Sequence, residues 1–195
     1  MKKRLGPREL LYPMPAVFVV SAADGEVDVM AVAWIAIAGA KPPSVMMSVR
    51  STRKTLELIE RSGEFTVNTP SASMAAQLDF TGIVSGRTVT DKIGEAGLTA
   101  IPASVVGVPI IAECPHNLEC RVARMLEHGD HTIVIGEIVE THVDESVLDE
   151  TGGKPLADRI DPLVYIPTVR EYRRLGEKVA DAYSVGRRYL DGPAF

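Results

Sequence analysis

The sequence predicts a mainly β protein, a barrel or sandwich with helical insertions. Three observations carry that expectation. Short runs of β-branched and other apolar residues recur between turn signals along most of the chain. Helical periodicity is confined to a few short stretches. Strands and helices do not alternate regularly, as a doubly wound fold would require. A β-rich chain of 195 residues with 46% hydrophobic content fits a single domain with an ordinary core.

Residues 1–11 are polar and read as an N-terminal arm. Gly6, Pro7, Arg8, Glu9, Pro13 and Pro15 interrupt the apolar stretch that a signal peptide needs. Ala16 to Ala22 is a strand, and Asp24-Gly25 is a hairpin signal. Val27 to Gly39 reads as one strand, apolar on both faces and therefore central. Its small residues, Ala31, Ala33, Ala36 and Ala38, leave room beside the backbone for a flat ligand or for closer strand packing. Pro42-Pro43 breaks the chain before a strand at Ser44 to Val49. Ser51 and Thr52 are helix-start residues, Leu56 and Ile59 form an apolar stripe, and Gly63 is the stop. Phe65 and Val67 then share one face of the next strand.

Ser71 to Leu78 reads as a helix capped by Ser71 or Ser73, with Met74, Ala75 and Leu78 inward. Residues 81–99 form a long loop with a short helical turn, punctuated by Gly82, Gly86, Gly94 and Gly97. A loop of that length is usually functional or mobile, and this one carries Ser85, Gly86, Arg87 and Lys92. Pro102, Pro109 and Pro115 surround short β runs. Leu118 to Glu127 and Thr132 to Val143 are two long strands joined by a hairpin turn at 127–131. An acidic, turn-rich stretch at 144–162 leads to a short strand at Leu163 to Ile166. The tail, 169–195, reads as helical at first, and its cations from Arg170 to Arg188 suit a solvated face or a subunit contact.

The stretch with the most chemistry is Ser48 to Thr55. Hydroxyls, the cations Arg50, Arg53 and Lys54, and the free N–H groups of a helix start fall within one turn of each other. That is a phosphate site or a capped surface helix with solvated cations. The Gly-rich arrangement of a P-loop is missing, and so is the GxGxxG of a dinucleotide fold. A net charge of −5 argues against a nucleic-acid partner. Trp34 is the only Trp, which leaves no stacking platform for bases. No run approaches the roughly twenty apolar residues of a membrane span. Cys114 and Cys120 lie about 20 Å apart if the chain between them is extended, too far for a disulfide. Reduced thiols in a cytoplasm fit them best. With His116 they match no standard zinc spacing.

Several stretches together carry a family pattern: VMAVAW at 29–34, SVRSTRKT at 48–55, GEFTVN at 63–68 and GIVSGR at 82–87. Further on come DKIGEAGLT at 91–99, IAECPHNLECRV at 111–122, GDHTIVIGEIV at 129–139 and DPLVY at 161–165. In order and spacing the chain, from about Tyr12 to Gly176, resembles the flavin reductase-like FMN-binding split-barrel family, most closely its flavoredoxin-type branch. The resemblance implies a six-stranded antiparallel, Greek-key-like split barrel, a homodimer, and FMN near the subunit interface. Asp28, Met30, Ala31, Val32, Ala33 and Trp34 would line the flavin ring. Arg50, Arg53 and Thr55 would hold the phosphate, with Ser48 by the ribityl chain or ring edge and Ser85 nearby. Lys92 and His131 would point into the site, and Tyr165 would cover the ring.

Of these, Lys92 and His131 are the catalytic candidates. Lys92 would stabilise charge at N1 and O2 of the reduced ring. His131 would donate to the flavin or orient a nicotinamide. The chain departs from the family twice. Asp28 stands where Asn is usual and is expected to point to solvent. One extra residue separates Gly86 from Asp91. Three functions follow: an NAD(P)H:FMN oxidoreductase using NADH or NADPH, an electron carrier with a protein redox partner, or a non-catalytic ligand-binding barrel.

Overall fold

Val17–Ala23 (β1) is buried along most of its length, so its alternate residues serve two cores. It pairs antiparallel with Glu26–Val32 (β2) through Asp24-Gly25, where both residues have positive φ, 50° and 82°. That is the left-handed geometry an Asp-Gly hairpin turn supplies. The computed structural model that shows this describes residues 1–190, apart from the side chain of Arg188.

The run expected as one strand from Val27 to Gly39 is two. β2 stops at Val32, and Ile35–Ala40 (β3) begins after Ala33-Trp34. β3 pairs with Pro43–Arg50 (β4), not with β1. The remaining strands of the sheet are Glu64–Thr69 (β5), His116–His128 (β6) and His131–Val143 (β7). The sheet order is β2-β1-β5-β6-β7-β4-β3. It has seven strands among the described residues, against the six expected, because the split run supplies one at each end. Neither half is central. A continuous apolar run gives no local sign of where its hydrogen-bonding partner changes. Much of β3 is exposed, including Ala36, Ile37 and Ala38.

Lys54–Ser62 (α1) follows β4 and starts later than Ser51 or Thr52 would make it. Ser51 is occupied elsewhere: its N–H and Oγ both donate to the carbonyl of Asp130, at 3.0 and 3.2 Å. Gly63 ends α1 in a left-handed conformation, φ 71°, its N–H donating to Ile59 O at 2.8 Å. This is the glycine C-cap that the sequence pattern demands.

Leu56 and Ile59 pack with Val17, Val19, Phe65, Val67 and Val134 in one core. Phe18, Val20 and Val29, from the opposite faces of β1 and β2, form a second core with Met74, Leu78 and Ile93. Gly136 on β7 lets the Phe65 ring lie against the strand: a Cβ there would sit 2.4 Å from Phe65 Cζ.

Ala75–Ile83 (α2) follows a short 3₁₀ turn at Ala72–Met74 and runs past Leu78 into the region expected as loop. Ser71 and Ser73 hydrogen-bond to each other at 2.7 Å and cap nothing. The short helical turn expected at 81–99 is Lys92–Glu95 (α3), with Asp91 accepting from Gly94 N at 2.9 Å. At the start of the tail the described residues form a strand where a helix is expected. Glu171–Arg173 is a strand paired with Val164–Ile166, which pairs in turn with Met14–Pro15. A local charge pattern does not reveal that distant partner. A 3₁₀ turn follows at Val185–Tyr189, and residues 191–195 of the tail lie outside the described residues.

Cys114 and Cys120 are free and buried, and burial pushes the Cys120 thiol up to about 12. No helix among the described residues is long and apolar enough to cross a membrane.

Candidate functional site

The split between β2 and β3 builds the site. As the chain leaves β2, Ser48 N on β4 donates to Trp34 O at 2.8 Å, tying the break to the end of the neighbouring strand. Strand β7 lies beside β4 in a register that sets His131 opposite Arg50 and Ile133 opposite Ser48. The chain then turns at Ser51–Arg53 into α1.

Between these elements lies a cavity of about 670 Å³, within the range of roughly 300–1,000 Å³ typical of cofactor pockets. One wall is Asp28, Met30, Ala31, Val32, Ala33 and Trp34. A second is Ser48, Arg50, Arg53 and Thr55. Ser85, Lys92, His131 and Tyr165 complete it. The structure therefore brings every residue expected from sequence around one cavity. Thr52 and Lys54, from the same Ser48–Thr55 stretch, and Gly86, from the 81–99 loop, also line it. The Ser-Gly-Arg run was the available signal for Gly86.

The corner at the start of α1 is electropositive. No side chain caps the helix, so first-turn N–H groups are left for another acceptor. Lys54 is committed to Glu26 in an ion pair. Neither Arg50 nor Arg53 has an ion-pair partner among the described residues. An anion is what that corner lacks.

Across the cavity, the rings of Trp34 and His131 stack with centroids 5.0 Å apart and 23° between planes. Asp130 holds the imidazole from behind, with Oδ1 2.7 Å from Nδ1. The carboxylate can only accept, so Nδ1 carries the proton and Nε2 is left as the second ring nitrogen. That hydrogen bond lowers the Asp130 carboxyl from its ordinary range. Tyr165 is half-buried and lies tilted against Tyr172, centroids 5.7 Å apart.

Asp28 does not face solvent. It is 4% exposed, accepts from Thr55 Oγ1, and lies 3.3 Å from Lys92 Nζ. The expectation fails because a carboxylate can be buried when a cation and a donor meet it, and both arrive from distant segments. The extra residue before Asp91 does not displace Lys92. A turn in which the N–H groups of Thr88 and Val89 both donate to Ser85 O takes it up. Burial pulls the Lys92 ammonium below its ordinary range, while Asp28 acts to raise it.

Next to this cavity, past Trp34, runs an apolar groove of about 570 Å³ lined by Leu10, Leu11, Ala36, Met46 and Ile133 among others.

The flavin reductase like domain, as a family model, matches residues 10–176. The chain is similar to the flavoredoxin of Desulfovibrio vulgaris (Miyazaki F), at 37% identity and a TM-score of 0.89 over 95% of this chain and 100% of that one. It is 34% identical to an uncharacterized protein of Pyrococcus abyssi over 75% of this chain and 82% of that protein. It is 33% identical to a flavin reductase (NADH) of Kitasatospora aureofaciens over 50% of this chain and 49% of that protein.

Proposed function

The chain belongs to the flavin reductase-like, FMN-binding split-barrel family, and on that premise we propose that it is an NAD(P)H:FMN oxidoreductase with its flavin in the cavity between β2, β4 and α1. The carrying observation is the convergence itself. An uncapped helix start, two arginines with no ion-pair partner among the described residues, a wall running from Met30 to Trp34 and a stacked Trp–His pair line one volume of cofactor size. The residues fit FMN: a cationic corner for the phosphate and an apolar wall for a flat ring.

Arg50, Arg53 and the first-turn N–H groups of α1 would hold the phosphate, by charge and by directed donors. Met30 to Trp34 would present backbone groups and small side chains along the ring edge. Trp34 and His131 would exclude water from one side, and His131 Nε2 would meet the ring or an incoming nicotinamide. Lys92, paired with Asp28, would stand in the wall beside the ring, and Tyr165 would cover the ring. Bound FMN supplies the hydride-accepting chemistry; the protein orients it and tunes it.

The apolar groove and the exposed face of β3 support a homodimer. Ile37 is 69% exposed there, and Met46 is also exposed. Large exposed apolar faces of that kind usually meet another protein. The free buried cysteines support a reducing, cytoplasmic setting.

The likeness to a flavoredoxin favours a second reading, an electron carrier with tightly bound FMN and a protein redox partner. The test is a visible spectrum of the protein with FMN, followed by anaerobic NADH and then NADPH. Bleaching of the bound flavin by either nucleotide supports the oxidoreductase. Bleaching only by a reduced iron–sulfur protein favours the carrier, and failure to bind FMN removes both.

A further inference from the structure

One wall of the cavity holds a buried ion pair. Asp28 on β2 and Lys92 on α3 are 4% and 3% exposed, with Lys92 Nζ 3.3 Å from Asp28 Oδ1. Thr55, in the first turn of α1, donates to the other carboxylate oxygen. Gly86 brings the 84–92 loop against the same group backbone-first: a Cβ there would lie 2.3 Å from Asp28 Oδ1. Two segments distant in sequence, the start of α1 and the 84–92 loop, thus close on one carboxylate. Burying an ion pair seldom recovers its own desolvation, so stability is a poor account of this one.

Its electrostatics give a better account. A lone ammonium in the wall would favour negative charge gained by a ligand beside it. Paired at 3.3 Å with a carboxylate, it leaves a wall that is close to neutral. Two-electron, one-proton reduction of a flavin adds one negative charge to the ring. We infer that Asp28 is a positioning residue that orients and neutralises Lys92, and so holds the reduction potential of the bound flavin low. The inference rests on the FMN reading above. A neutral amide at position 28 would leave Lys92 uncompensated and make the reduced flavin easier to form. With Asp28 in place, the reduced cofactor is the stronger electron donor.

The test compares FMN-loaded wild type with Asp28→Asn, Lys92→Met and the double variant. Midpoint potentials are read by equilibration with a reference dye, and FMN affinity by quenching of flavin fluorescence. Asn keeps the size of Asp and an acceptor for Thr55. In Asp28→Asn the ratio of reduced to oxidised flavin at a fixed poise should rise about tenfold, a shift of about 30 mV for a two-electron couple. Lys92→Met should shift it the other way, and the double variant should return close to wild type.

An Asp28→Asn protein that holds FMN at an unchanged or lower potential overturns the inference and leaves the functional reading intact. Wild type that does not bind FMN overturns both. Should Asp28→Asn alone lose its fold, the same change is read in the Lys92→Met background, where removing the carboxylate must raise the potential or the inference fails.

Discussion

The indole of Trp34 lies against the imidazole of His131, 5.0 Å between ring centroids and 23° from parallel. The two residues come from the β2–β3 break and the start of β7. Trp34 is the only Trp in the chain, so its emission reports on this one place. FMN binding should quench that emission. His131→Ala removes the stacked partner and should weaken FMN binding by about two- to tenfold, the scale of one aromatic contact of roughly 0.5–1.5 kcal/mol. Fluorescence titration measures both.

The cationic corner predicts discrimination by phosphate. Arg53→Ala should weaken FMN by roughly ten- to a hundredfold, since a hydrogen bond to a charged group contributes about 1.5–3 kcal/mol. Riboflavin, which has no phosphate, should bind wild type and variant alike. Equal losses for the two ligands would place the phosphate elsewhere.

The exposed β3 face predicts assembly. Ile37→Asp puts a charge in the middle of an apolar strand that is otherwise open to solvent. Wild type should sediment as a dimer and the variant as a monomer with an unchanged circular dichroism spectrum. A wild-type monomer at micromolar concentration would remove the homodimer from the reading.

Gly136→Ala tests the core. The added methyl would collide with the buried ring of Phe65, whose Cζ lies 2.4 Å from the position it would take. Overpacking of this kind costs about 1–3 kcal/mol. A lowered midpoint in thermal or urea unfolding is the expected result.

Glu119 predicts an acid limb in stability. It is fully buried, and burial alone would raise its pKa. Hydrogen bonds from His142, Ser104 and the Val106 backbone outweigh burial and hold it at about 2, below its ordinary 4.5. A depressed folded value means that its contribution is present above the unfolded value and is lost as pH falls from about 4.5 toward about 2. The difference corresponds to a contribution on the order of 3 kcal/mol at neutral pH. Glu119→Gln should lower neutral stability and flatten the acid limb of urea midpoints measured against pH.

Much of the architecture was legible locally. The Asp24-Gly25 turn, the Gly63 stop and the shared face of Phe65 and Val67 follow from rules that involve only neighbours in the chain. Long-range choices were not. The Val27–Gly39 run carries no mark of the change of partner at Ala33-Trp34. Glu171–Arg173 forms a strand because Val164–Ile166 offers it an edge. Ser51 looked like a cap, but the Asp130 carbonyl on the β6–β7 hairpin claims its hydroxyl.

The site divides in the same way. By itself the sequence determined which residue types were available: a cationic helix start, a strand of small apolar residues, a Lys in a glycine-marked loop and a His at the head of a long strand. Only the tertiary structure decided that they face one cavity, that Asp28 turns inward, and that Lys92 reaches it rather than solvent. Turn chemistry and periodicity are properties of adjacent residues. Whether a charge is buried depends on what arrives from elsewhere to meet it, and here the Lys92 ammonium, the Thr55 hydroxyl and the bare backbone of Gly86 all arrive at one carboxylate.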